Sequence, residues 1–568
     1  MGGLKPITVQ EPMSTIKYLP YALLVLGQQG ASAQQLPTGG SQLLNIPATH
    51  MPQHRAPRIE VQPNAAPAPA TTEGARVLVR ALRVTGAQAF SEQTLLAATG
   101  FKPDSDLTLA QLRAMAALIA DLYQRNGYFV AQAYLPAQDI QQGILTIAVI
   151  EGRYGKVALR NKSRVSDAQA GSLLGGLQSG DLITNAPLES RLLLLSDLPG
   201  VNVQSTLAPS ATPGASDLLV ELTPGQRVSG SIDADNAGNR YTGAYRLGAT
   251  VNVNEPMGYG DVASLRVMTA GTGLNYARAS YQLQLGKARL GVAYSHLDYE
   301  LGREFKSLGA HGNAKIASLY GSYPLIRSRD TNLYAGLAFD AKSFQDRIDT
   351  TSSVADKRAK VLTASLYGDH RDSAGWGALN VYSLALSAGD INLQTPAVRA
   401  LDNLSARSDG RYEKLAFNLA RLQNISEAVS FYAAINGQIA SKNLDASEKM
   451  ELGGMYAVRA YPEGEAYADQ GYVLTLEGRL LLPRFSAHPS GQLQLIAFAD
   501  AGSVRTNKNP WTTDSNHRTL SGAGVGLNWT VANDFFIKAY YARKLGNDAA
   551  TSAPDASGRF WVQAVKYF

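Results

Sequence analysis

Between residues 226 and 568, apolar and polar side chains alternate with a period of two, in segments of about ten residues parted by turns and loops. Each backbone N–H and C=O inside a bilayer must find a partner within the protein, so only helices and closed barrels cross it. About ten residues of tilted strand span the hydrocarbon, with alternate side chains meeting lipid and water. Tyr241, Gly243, Tyr245, Leu247, Ala249, Val251 and Val253 share one face, while Thr242, Arg246, Thr250 and Asn252 share the other. The pattern returns over 288–296, 332–340 and 472–480, where Glu477 and Arg479 fall on the polar side. Residues 226–568 therefore read as a transmembrane β-barrel of about sixteen antiparallel strands.

Connection lengths orient it. With a periplasmic N-terminus, odd-numbered strands lead outward, and outer loops are the long ones. The long gaps, 343–359, 389–410, 439–469, 502–520 and 546–559, all follow odd strands, and short ones such as 285–287 and 424–427 follow even strands.

Ahead of the barrel, Lys17, an apolar run over 18–26 and Ala31-Ser32-Ala33 read as a secretory signal at 1–33, too short in its apolar part to span a membrane. Residues 34–75 are rich in Pro, Ala and Gln and read as a mobile periplasmic tether with polyproline character, with a short helix possible over 41–46. Residues 76–152 follow a strand, helix, helix, strand, strand order, in which Thr108 and Gln111 form a capping-box signature and Gly127 ends the helix. Residues 153–225 repeat that order, giving two βααββ modules in tandem. With no cysteine, disulfides and thiolate sites are excluded. The net charge of +6 is spread without a Lys/Arg block, so no nucleic-acid partner is expected.

The longest outer loop carries Val458, Arg459, Ala460, Tyr461 and Pro462, then Glu463-Gly464-Glu465. On the thirteenth strand the alternation points Leu493, Leu495 and Ala497 to lipid, and Gln492, Gln494, Phe498 and Asp500 to the lumen. If the loop folds into the pore, Arg459 can make a bidentate contact with Asp500 and latch it. Alternatively, Arg459 is a solvated surface residue and Asp500 one of many lumen charges.

These residues bring out a likeness. Two modules before a barrel, Asp197-Leu198-Pro199-Gly200-Val201, Asp235-Asn236 with Gly238 and Thr242-Gly243, the 458–462 motif, Phe498, Asp500 and Gly502, and the terminal Phe568 appear in this order. The mature chain resembles the outer-membrane transporters of two-partner secretion, the haemolysin secretion/activation family within the superfamily of POTRA-bearing barrels. The resemblance implies that the modules are periplasmic POTRA domains that receive an unfolded partner. It also implies a pore loop whose arginine, Arg459, meets the wall aspartate, Asp500, beside Phe498. In the family a tether helix can plug the pore. One departure stands out: the family loop usually has glycine where this chain has Ala460, and a left-handed backbone there would strain an alanine.

The implied function is nucleotide-independent export of a large secreted exoprotein (an adhesin, a haemolysin or a contact-dependent toxin) that carries an N-terminal secretion domain. Outer-membrane lipid surrounds the barrel, and Phe568, after Trp561, Val565 and Tyr567, fits a signal read by the barrel-assembly machinery, a transient partner. No Walker A sequence is present, and no cofactor or metal is expected. An enzyme is disfavoured: Ser373 lacks the leading glycine of a nucleophile elbow, and His50 and His54 sit in the tether. A passive porin would not need two periplasmic modules, and a barrel-assembly factor usually carries more of them.

Overall fold

The computed structural model describes residues 36–47, 58–61, 76–140, 142–483 and 491–568. The expected signal, residues 1–33, and both His50 and His54 lie outside them.

Sixteen antiparallel strands, from Val228–Asp235 to Gly558–Tyr567, pair in sequence order and close first on last. Side chains alternate as lipid requires: Leu247 and Val251 face outward, whereas Arg246, Thr250 and Asn252 are buried inside. The second strand starts at Arg246, five residues later than its alternation suggests. Tyr241, expected on the lipid face, is instead buried in the preceding turn, its ring 4.7 Å from that of Phe305. There Thr242 N–H donates to Asn239 O and Gly238 N–H to Ala244 O, bending the chain before it can extend.

The seventh and eighth strands, Thr331–Ile348 and Ser353–Asp372, run for 18 and 20 residues, and a short turn at Asp349–Thr351 replaces the long loop expected over 343–359. Their outer ends stay extended because Phe344, Ile348, Ala359 and Val361 point inward into an apolar cluster. Leu36, Leu43 and Ile46 of the tether pack on the same cluster. An apolar cluster thus interrupts the polar lining of the outer lumen on this side.

Closure is the weakest join. The first and last strands pair over Ser231↔Tyr567 to Asp235↔Gln563 only, while the seventh and eighth pair along their whole lengths. Phe568 extends the seam by exchanging backbone hydrogen bonds with Gly230. At the other end Asn236 continues the ladder with its side chain: Oδ1 accepts from Val562 N–H at 2.7 Å, and Nδ2 donates to Phe560 O at 2.8 Å. Asn236→Ala removes both bonds and should cost about 1–2 kcal/mol at the seam. A lower temperature for conversion of the folded to the unfolded band in heat-modifiable gel migration will register it.

In the first module, helix Leu109–Arg125 carries the Thr108–Gln111 capping box and packs on a sheet of Ala81–Thr85, Ile144–Ile150 and Gln132–Tyr134. A strand not foreseen, Ser105–Thr108, pairs with Arg76–Val79. The second module holds strands Arg153–Asn161, Val201–Pro209 and Ala215–Pro224 under helices Asp167–Leu174 and Asn185–Ser196. It is docked on the barrel's periplasmic turns. Asp197 accepts both Nε and Nη2 of Arg327 at 2.8 Å, and Ser166 N–H donates to Gly258 O at 2.9 Å.

The tether is not uniformly extended. Residues Gly39–Leu44 form a helix capped by Thr38, and Arg58–Val61 form a strand added in parallel to Val201–Pro209 of the second module. Tertiary contacts order both pieces, which are too short to be stable alone.

Candidate functional site

The loop between the eleventh strand, Val429–Ala440, and the twelfth, Gln470–Leu481, folds back into the lumen. Its tip is a tight turn in which Tyr461 N–H donates to Val458 O at 3.1 Å, leaving Arg459 and Ala460 at the central positions. Ala460 is not among the residues with positive φ, so the turn needs no glycine there. The constraint is close approach. Ala460 is fully buried, and a Cβ added to Gly522 on the fourteenth strand, His517–Val531, would lie 2.4 Å from the Ala460 Cβ.

Arg459 is brought to Asp500. Nε and Nη2 each donate to one carboxylate oxygen at 2.8 Å, and the Arg459 backbone N–H adds a third bond at 3.1 Å. Nη1 donates to Glu477 at 2.8 Å, and Arg479 donates to the other oxygen of Glu477 at 2.8 Å. The guanidinium lies 3.5 Å from the Phe498 ring centroid and 5.2 Å from that of Tyr540. Trp561 Nε1–H donates to Arg459 O at 2.7 Å. Strands twelve, thirteen, fifteen and sixteen therefore converge on one residue of one loop. Arg459 and Asp500 are 4% and 1% exposed, so water competes little for their charges.

The neighbours of Arg459 in the motif act on the same seat. Val458 is fully buried and its N–H donates to Leu452 O; Pro462 is buried too. Tyr461 donates its hydroxyl to Asp548 O, with Lys544 Nζ 4.6 Å from its ring centroid. A Cβ on Gly502 would fall 2.4 Å from Leu452 Cδ1 of the loop and 2.8 Å from Tyr472 O of the neighbouring strand, so a larger residue would force both the loop side chain and the wall to shift. Phe568 is remote, at the seam.

Several residues that seat the loop went unrecognised in the sequence. Glu465, fully buried, accepts from the backbone and side chains of Thr551 and Ser552 and pairs with Arg518 at 2.5 Å, tying the last outer loop to this one. Glu448 meets Lys342 at 2.7 Å and Lys414 at 2.9 Å, and Asp445 meets Lys357 at 2.9 Å. The usable signal was lysine at inward positions of strands seven, eight and ten, opposite a loop dense in Asp and Glu.

The tether helix sits beside the loop. Gly39 N–H donates to Asp346 at 2.9 Å, Thr242 Oγ1 donates to the Gln42 side chain at 2.8 Å, and Asn45 Nδ2 donates to Tyr467 OH at 3.3 Å. Arg246, which pairs with Asp235 at 2.8 Å, also donates to Asn45 O.

Glu463 and Glu451 lie together at the base of the turn, Glu463 accepting from Met455 N–H at 2.8 Å and Glu451 from Gly464 N–H. Burial pushes the Glu463 carboxyl up to about 7, against the pull of Arg246. A raised carboxyl pKa means that the seated loop holds a proton the unfolded chain releases. Its stabilisation is full below about pH 4.5 and fades as pH rises through about 7. Thermal resistance should fall as pH rises from about 4.5 to about 7, and Glu451→Gln with Glu463→Gln, which removes both raised carboxyls, should flatten that dependence in gel-conversion measurements.

Residues 214–529 match the family model described as haemolysin secretion/activation protein ShlB/FhaC/HecB, and residues 77–152 match that of the ShlB-type POTRA domain. The chain is 29% identical over 474 residues to the heme/hemopexin transporter protein HuxB of Haemophilus influenzae, covering 82% of each. It is 24% identical over 494 residues to the outer membrane transporter CdiB of Escherichia coli, covering 82% of this chain and 79% of CdiB. The solved structure of CdiB from Escherichia coli superposes with a TM-score of 0.67 at 20% identity, covering 89% of this chain and 93% of that one. BamA from Haemophilus ducreyi lacking POTRA domains 1–3 reaches 0.52 at 14% identity, covering 86% and 100%.

Proposed function

Since the chain belongs to the haemolysin secretion/activation (ShlB/FhaC/HecB) family of outer-membrane transporters, we propose that it recognises an unfolded exoprotein through its periplasmic modules and passes it through the barrel without nucleotide. Residues 153–225 act as a second POTRA domain beside the first. The observation that carries this reading is a lumen occupied by two separable pieces, the 441–469 loop and the tether helix, each held by side-chain contacts to the wall. A passive pore has no use for removable fillings, whereas an exporter must stay sealed until cargo arrives.

Export then takes its direction from cargo folding outside, which opposes return of the chain. Latch release means parting Arg459 from Asp500 and Glu477, a local event costing a few kcal/mol that cargo binding can offset. The name of HuxB, a heme/hemopexin transporter protein, puts a haem-handling exoprotein beside an adhesin, a haemolysin or a contact-dependent toxin as cargo to be tested. BamA shares the fold, so a barrel-assembly role is the rival reading.

Inactivating the protein separates the two. Loss of one exoprotein from the medium, with other outer-membrane barrels assembled normally, is the expected result; a general barrel defect would favour the assembly role.

A further inference from the structure

The first periplasmic turn of the barrel joins the second strand, Arg246–Asn254, to the third, Val262–Thr269, through Glu255-Pro256-Met257-Gly258-Tyr259-Gly260-Asp261. Its two carboxyl groups are withdrawn from water, Glu255 at 4% exposure and Asp261 at 0%. They are supported unequally. Asp261 accepts from Met257 N–H at 3.1 Å, from Tyr259 N–H at 3.0 Å and from the Tyr281 hydroxyl at 2.7 Å. Glu255 accepts from Gly260 N–H at 3.2 Å through Oε2, while its Oε1 is buried without a hydrogen-bond partner. Among the described residues no lysine or arginine pairs with either carboxyl.

Two buried anions side by side without a cation are strongly disfavoured, so one carboxyl holds a proton. Three donors stabilise the charged form of Asp261, and the proton therefore belongs on Glu255. Burial, with the charge of Asp261 beside it, pushes the Glu255 carboxyl up to about 7. The other titratable groups of this cluster, Tyr259 and Tyr281, are phenols that stay neutral across that range. The charged residues packed nearby are Arg164 and Arg227, both exposed, and Asp197, which is paired with Arg327. A raised carboxyl pKa stabilises the folded turn fully below about pH 4.5, and that stabilisation is lost as pH rises through about 7.

The same turn is a docking point for the second module. Ser166 N–H donates to Gly258 O at 2.9 Å, a Cβ on Gly258 would lie 2.7 Å from Arg164 O, and a Cβ on Gly260 would lie 2.7 Å from Leu198 Cδ2. The backbone that meets the module is thus the backbone the two carboxyls hold, Asp261 through Met257 and Tyr259 and Glu255 through Gly260. We propose that Glu255 and Asp261 form a proton-operated clasp between the second module and the barrel. With Glu255 protonated, the turn stays folded and the module stays seated. With both carboxyls ionised, their repulsion opens the turn to water, withdraws Gly258 and Gly260 from the module, and leaves it to pivot on the Asp197–Arg327 and Glu189–Arg329 pairs. Asn254 and Val262, which flank the turn, line a cavity of ≈ 1190 Å³ between the module and the barrel mouth. Release of the clasp widens that cavity, so a more alkaline periplasm opens the entrance to the lumen, whatever the barrel conducts.

The test is a distance measurement on the full chain in detergent. Because the chain has no cysteine, Ser179→Cys on the second module and Ser373→Cys on the turn after the eighth strand, both exposed, can carry nitroxides for double electron–electron resonance. The distance distribution should be narrow at about pH 5 and roughly twofold broader at about pH 8.5, with its midpoint at about pH 7. Glu255→Gln, which keeps a neutral, hydrogen-bonding side chain at every pH, should stay narrow throughout. Glu463→Gln, which removes a carboxyl of similar pKa from the pore loop, should broaden as the parent does. Heat-modifiable gel migration checks that the barrel of each variant is folded, and the parent titration needs no change at the pair. A parent distribution that does not respond to pH, broadening that persists in Glu255→Gln, or broadening that disappears in Glu463→Gln would each overturn the inference. No export is measured, so failure here and failure of the exporter reading are told apart.

Discussion

Replacing Arg459 by Ala is expected to release the pore loop and to abolish regulated export. The substitution leaves Asp500 and Glu477 buried in the lumen wall without their shared cation, and strips the stacking partner from Phe498. Breaking a buried ion pair from one side costs about 3–5 kcal/mol, because the surviving charges stay desolvated. The loop need not pay that cost if it swings out and lets water in, so unseating is the favoured relaxation. Planar-bilayer recordings should show larger and noisier conductance than wild type, and secretion of the co-expressed exoprotein should fall to background. Arg459→Lys should rescue little, since one ammonium cannot satisfy both Asp500 oxygens, reach Glu477 and lie flat on the Phe498 ring. Wild-type secretion by Arg459→Ala would remove the latch from the mechanism.

Gly522→Ala should unseat the same loop by volume instead of charge. The new methyl group would come 2.4 Å from the Ala460 Cβ, far inside contact distance, with one atom on a wall strand and the other at a buried turn. Overpacking of this kind costs about 1–3 kcal/mol. The severe conflict is with Ala460, the next neighbour being Arg543 O at 3.1 Å, so Ala460→Gly should be nearly silent alone and should restore most of the folded-band stability and low conductance lost in Gly522→Ala. A double variant no better than Gly522→Ala would show that the wall strand itself, and not the loop tip, is what the methyl group disturbs.

The two predictions differ in what the sequence disclosed. Asp500 was legible as an inward carboxylate because strand parity in lipid leaves no choice: Leu495 and Ala497 must face outward, which turns Phe498 and Asp500 in. Arg459 was legible as a possible partner but equally as a solvated loop residue. The role of Gly522 was hidden altogether, since nothing in a strand reveals which loop atom will come to rest against it. Glu465 and Glu448 were hidden for the same reason, their charged partners lying 34 to 106 residues away along the chain. The tether was read as mobile from its composition. Its helix and strand follow no internal period and exist because the lumen and the module edge accept them.

Strand number, order, orientation and facing were determined by the sequence itself, because a bilayer imposes a period of two and a length near ten on every segment that crosses it. The contents of the barrel were decided only by tertiary structure. Inside the lumen no such solvent boundary acts, and occupancy depends on contacts between residues distant in the chain: a guanidinium between two carboxylates, an alanine against a glycine, a short tether strand on an open sheet edge.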